Sequence, residues 1–185
     1  MDDKRIIELF LQRSEQAVSE ISAKYGAISI KTAYNILGNH EDAEECVNDA
    51  YLGVWNSVPP QNPDPLLAFL LKIVRNISIT RHKYNSRKKR NGQYDECVDE
   101  LDYCLSSGER IDDEIYAEEL TNFIEEFLDG ISKTNRMLFM RRYWYVDSYE
   151  TIAKLTGLKE SAVRTRLSRI RSDLKKYLKK RGVQI

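Results

Sequence analysis

The stretch from Asp147 to Leu174, DSYETIAKLTGLKESAVRTRLSRIRSDL, constrains the fold most, because two helical periodicities meet in it across one glycine. Ile152, Ala153 and Leu155 give the first an apolar face, and Val163, Leu167, Ile170 and Leu174 recur at helical steps on the second. Between them, Thr156-Gly157-Leu158 reads as a tight turn in which Gly157 takes positive φ without a Cβ clash and Leu158 drops into the angle between the helices. Ala153 is small enough for the second helix to cross closely. Asp147 with Glu150 offers a capping box, with Ser148 as the competing cap, whereas Lys159 is a poor cap for the second helix.

The second helix is left with Arg164, Thr165, Arg166, Ser168, Arg169 and Arg171 as its outer surface. Guanidinium forks and short hydroxyls reach phosphates and guanine edges in a major groove. A solvated basic face on an ordinary helical hairpin is the plainer alternative. The coincidence of turn spacing, Ala153 and Gly157 favours a DNA-reading helix-turn-helix.

The formal net charge of zero conceals three blocks. Residues 72–90 hold eight Lys or Arg and no acid; residues 95–129 hold fourteen acids against Arg110 alone; residues 133–181 hold fifteen basic residues against four acidic. Such an acidic middle could lie loosely across the basic surfaces, with Asp99, Glu100, Asp102, Asp112 and Asp113 competing with DNA, or could simply keep a spacer extended. Cys46, Cys97 and Cys104 form no CxxC pair, so they read as reduced thiols and not as a zinc site. No bilayer-length apolar run and no secretion signal is visible, so no membrane insertion and a cytoplasmic location are expected.

In chain order, the apolar residues from Ile6 to Leu37 suggest two helices interrupted near Gly26. Glu41 to Trp55 forms a helix whose first-turn acids suit the helix dipole. His40 with Glu44, or Glu45 with Asp49, has the one-turn spacing of metal ligands, but no second ligand-bearing helix accompanies them, so neither metal nor cofactor is expected. Prolines 59, 60 and 63 make a rigid connection before a helix from Leu66 to Ile79. Arg75 and Asn76 interrupt its apolar run, either as a polar rim or as reading residues. Arg81, Lys83, Arg87 and Lys88 follow, with Phe69 and Tyr84 nearby, a mixture of charge and aromatic surface that suits partly unstacked bases.

The succession of an acidic helix ending EECVNDAYLGVW, a loop, FLLKIVRNISITRHKYNSRKKR, an acidic spacer and the C-terminal motif resembles bacterial RNA polymerase sigma factors of the extracytoplasmic-function (ECF) type. The resemblance implies core RNA polymerase and promoter DNA as partners, and it admits an anti-sigma inhibitor protein. It places Glu44, Glu45, Asn48, Asp49 and Tyr51 against the clamp helices of the largest polymerase subunit. Phe69, Arg75 and Asn76 fall where the family opens and reads the minus-ten element, and the second helix of the motif where it reads the minus-thirty-five element. Three positions depart from the family pattern: Phe69 stands for Trp, Asn48 for Gln and Thr80 for Asp.

The expected architecture is all-α: a helical domain over 1–90, a flexible acidic linker over 91–115 and a helix-turn-helix domain over 116–185. No catalytic constellation is visible, so an enzyme is not expected. The rivals are a stand-alone helix-turn-helix regulator, which would bind a symmetric duplex without polymerase, and a metal-dependent nuclease using Glu45 and Asp49.

Overall fold

The computed structural model describes residues 1–85, 92–105 and 114–183, and every regular element among them is helical. The chain divides into two compact units, Met1–Tyr94 and Asp95–Ile185. The boundary falls in the first turn of a helix, α5 (Gln93–Leu105).

Unit 1 is built from α1 (Asp3–Leu11), α2 (Gln16–Leu37), α3 (His40–Ser57) and α4 (Leu66–Asn85). Asp2 starts α1 by accepting from the Arg5 amide at 2.8 Å, and Asn39 starts α3 by accepting from the Asp42 amide at 3.1 Å. Both caps satisfy amides that a helix start leaves unpaired. Ile6, Phe10, Ile21, Val54, Leu66 and Leu70 fill the core. The break expected near Gly26 lies instead at Gln12–Glu15, where Arg13 has φ 56°. Gly26 sits inside α2, where a Cβ would stand 3.3 Å from the Tyr51 hydroxyl of α3. The glycine therefore admits a neighbouring side chain and does not end a helix. Arg13 is held in place by donating to the Trp55 carbonyl and lying over the Trp55 ring.

Unit 2 contains most of α5, then α6 (Glu114–Gly130), α7 (Lys133–Phe139), a π-helical turn (Met140–Trp144), α8 (Tyr149–Thr156) and α9 (Glu160–Lys180). Ser148, and not Asp147, caps α8, accepting from the Thr151 amide at 3.1 Å. The turn after α8 has Gly157 at φ 68°, the left-handed conformation that a Cβ disfavours. Val163, Leu167, Ile170, Leu174 and Leu178 are the buried stripe of α9. On α8 the buried residues are Tyr149 and Ile152, while Leu155 is 55% exposed, because the short helix turns it off the packed face.

The stretch 91–115 is not uniformly a linker, since residues 93–105 are helical. Between its acids, Tyr94, Cys97 and Leu101 recur at three and four, Tyr94 and Leu101 half-buried and Cys97 buried.

Phe10 is fully buried in unit 1. Phe10→Ala is expected to remove about 3–5 kcal/mol of that unit's stability, read as a lower urea midpoint for its transition in the full chain. An unmoved midpoint would show that α1 is not part of this core.

Candidate nucleic-acid interface

On α9, every fourth or third position after Val163 is buried, and Arg164, Thr165, Arg166, Ser168 and Arg169 are left exposed. Arg166 and Arg169 have no hydrogen-bond or ion-pair partner among the described residues, so their guanidinium groups are available to an anion. Thr165 donates to the Ser161 carbonyl at 2.9 Å. Arg164 is already engaged: it reaches Glu160 at 2.8 Å and lies 3.9 Å from the centroid of the Tyr149 ring. Arg171 departs from the sequence-based set. Its side chain is only 17% exposed, and it donates to Tyr143 Oη at 2.6 Å and to Glu100 at 3.2 Å.

Glu100 is the hub behind this surface. Its carboxylate accepts from Arg142 Nη2 at 2.9 Å and Nε at 3.2 Å, from Tyr143 Oη at 2.9 Å, from Tyr149 Oη at 2.6 Å and from Arg171. Arg142 has no exposed surface and also pairs with Glu96 at 2.9 Å. Burial pushes the Glu100 carboxyl up, but hydrogen bonds from Arg142 and Tyr149 and the Arg142 charge outweigh it, leaving the pKa below the ordinary 4.5. Burial likewise opposes the charges of Arg142 and Arg171. The acceptors around them, led by Glu100 for Arg142 and by Tyr143 for Arg171, reverse the balance, so both remain cationic. Burial raises the Tyr143 hydroxyl beyond its ordinary range, which keeps it protonated.

In unit 1, α3 presents Glu44, Glu45, Asn48 and Asp49 to solvent. Tyr51, one turn after Asn48, is 7% exposed and belongs to the core, so its ring packs inward at the edge of that face. Leu52 is the residue sequence reasoning missed: it is 57% exposed and lies one turn after Asn48 on the acidic face. Its signal was a large apolar residue on the polar side of an amphipathic helix. On α4, Asn76 and Lys83 are exposed, and Phe69 and Arg75 are half-buried. Arg81 is paired with Glu45 at 2.8 Å and Asp42 at 3.5 Å. A cleft of about 500 Å³ brings together Asp49, Asn76, Thr80, Arg81 and Tyr84. The positions Arg87 and Lys88 lie outside the described residues. His40 stacks on Tyr34 with ring centroids 4.2 Å apart. Among the described residues no group of three His, Cys, Asp or Glu is arranged to hold a metal ion.

Residues 23–88 match the family model "Sigma-70 region 2", and residues 124–174 match "Sigma-70, region 4". The chain carries regions 2 and 4 of a sigma-70 factor. Its role is promoter recognition in transcription initiation. Region 2 falls on α2 to α4, and region 4 runs within unit 2 from inside α6 to inside α9. These sigma-factor domains are not enzymatic. No curated protein matches the chain. A solved structure of CnrH in complex with the cytosolic domain of CnrY is similar at a TM-score of 0.45 and 18% identity, covering 96% of this chain and 97% of that one. At that level the likeness carries no further argument. Among the described residues, no helix of this sigma factor is long and apolar enough to cross a membrane.

Glu100 titrates below its unfolded value, so its stabilisation is whole above pH 4.5 and is lost as pH falls through the lower folded value. Glu100→Gln is therefore expected to melt below the parent sigma factor at neutral pH, with the gap closing as the pH falls below 4.5. Thermal midpoints across this range test it; a pH-independent gap would mean that the carboxylate charge is not the stabilising feature.

Proposed function

We propose that the chain is a sigma factor of the ECF type, in which unit 1 seats on core RNA polymerase and opens the minus-ten element while unit 2 reads the minus-thirty-five element. One observation carries this reading: the region 4 match contains α9, with Arg166 and Arg169 exposed and without a partner among the described residues, next to Thr165 and Ser168, after a left-handed glycine turn. Forked cations on one outer surface suit phosphates and guanine edges. The acidic face of α3, with Glu44, Glu45, Asn48, Asp49 and the exposed Leu52, has the composition of a protein-docking surface and is assigned to the polymerase. Phe69, Arg75, Asn76 and Lys83 on α4 are assigned to the opened strand. Arg81 serves this surface through its bridge to Glu45 and Asp42. Core polymerase and promoter DNA are the partners this function requires, and acting on them places the protein in the cytoplasm. An anti-sigma inhibitor is compatible with it but not required.

Two tests address the two units separately. In the holoenzyme, replacing Arg166 or Arg169 by Ala should lower the magnitude of the logarithmic salt slope of promoter binding by about 0.9 for each phosphate that the arginine had neutralised. Unchanged affinity and slope in both variants would remove α9 from the interface. Asn76→Ala should leave polymerase binding intact and weaken promoter opening by about 1–3 kcal/mol, seen as reduced permanganate reactivity around minus ten. Full opening in that variant would take Asn76 out of the reading site. Tight binding of a symmetric duplex without polymerase would favour a stand-alone regulator over a sigma factor.

A further inference from the structure

Helix α5 lies between the two family matches, yet its Glu100 is tied by hydrogen bonds to four side chains, Arg142 and Tyr143 of the π-helical turn and Tyr149 and Arg171 of the helix-turn-helix. One of these leads toward the reading surface. Tyr149 opens α8, donates its hydroxyl to Glu100 at 2.6 Å, and has its ring between two guanidinium groups, Arg142 at 4.2 Å and Arg164 at 3.9 Å. Arg164 belongs to the exposed side of α9 and is half-exposed. It is thus held before any DNA arrives, by Tyr149 behind it and by Glu160 one turn earlier. A side chain fixed in its bound orientation loses less freedom on binding, and it meets one base edge better than others.

We propose that Glu100 is a positioning residue for minus-thirty-five reading: through Tyr149 it sets the orientation of Arg164, which makes α5 an integral part of the duplex-reading unit and not a tether to it. The inference rests on the assignment of α9 to the minus-thirty-five element. Its chemistry is directional. The Glu100 carboxylate can only accept, so it fixes the rotation of the Tyr149 hydroxyl and draws the ring toward Arg142, and the opposite ring face becomes the shelf for Arg164. A structural role alone would stabilise unit 2 without favouring one duplex sequence over another.

The test uses the full-length chain with core polymerase and two duplexes: one selected from a randomised pool by the parent holoenzyme, and its scrambled counterpart. The readout is the ratio of the two affinities, with thermal melting as a check on folding. Glu100→Gln and Tyr149→Phe should each lower the ratio about tenfold, the size of one specific base interaction. Tyr149→Phe removes one hydroxyl and leaves the hydrogen bonds of Arg142, Tyr143 and Arg171 to Glu100, so it tests the idea even where Glu100→Gln unfolds. Arg164→Ala should lower the ratio at least as much, and adding Glu100→Gln or Tyr149→Phe to Arg164→Ala should change it by less than about twofold. Multiplicative losses in the double variants, or an unchanged ratio in Tyr149→Phe, would overturn the positioning role while leaving α9 as the reading helix. An unchanged ratio in Arg164→Ala would overturn it at its root, because Arg164 would then not read the duplex.

Discussion

An arginine with no exposed surface requires an anion, and in unit 2 that requirement organises the surroundings. Arg142 meets Glu100 twice and Glu96 once, and donates to the Asp147 carbonyl at 3.2 Å. Removing either charge from such a pair leaves the other stranded in a poorly solvated place, so the pair specifies which helix must lie there as much as it stabilises. A hydrophobic contact would tolerate α5 in several rotations. Glu100, taking hydrogen bonds from α5's neighbours at the π-helical turn, α8 and α9, tolerates one.

The backbone around Arg142 is shaped to the same end. The turn from Met140 to Trp144 is π-helical, with the Tyr145 amide reaching back to the Met140 carbonyl at 3.0 Å and the Asp147 amide to the Arg141 carbonyl at 2.9 Å. One residue more per turn shifts the following side chains around the helix axis, so Arg142 and Tyr143 both point inward while Arg141 is partly exposed and pairs with Asp147. Val146 then takes φ 55°, a costly conformation for a β-branched residue, and is fully buried there. The reversal lets Ser148 begin α8 one residue after the buried Asp147, with Tyr149 already facing Glu100.

The parts of this architecture visible in the sequence are those with an uninterrupted period. The stripe of α9, the left-handed role of Gly157 and the order of acidic helix, basic helix and reading motif were all legible, since each depends on residues close along the chain. Three features were not. The break between α1 and α2 falls at Arg13, held by a carbonyl forty-two residues away, while Gly26 serves helix packing. The π-helical turn has no local mark, because its stability comes from the distant carboxylate that Arg142 meets. Helix α5 was hidden by its own charge: an acidic run reads as a solvated spacer until the buried cations that receive Glu96 and Glu100 are known. Glu100 is therefore no member of a loose, salt-sensitive mask, and Asp112 and Asp113 lie outside the described residues.

Charge counting along a sequence treats basic residues as equivalent, and pairing shows why they are not. Of the C-terminal basic block, Arg142 and Arg171 are committed to Glu100 and Arg141 to the buried Asp147. Their charge contributes to the long-range field but cannot move to a phosphate without abandoning an existing anion. Among the described residues Arg166 and Arg169 have no such anion to give up, and Arg164 gives up only a solvent-exposed pair with Glu160, whose strength falls with salt. The acidic residues of unit 2 thus divide its arginines into those that build the domain and those left for a ligand. Arg164, Arg166 and Arg169 share the solvent face of α9, so the surface proposed to read DNA is defined by where the described carboxylates stop.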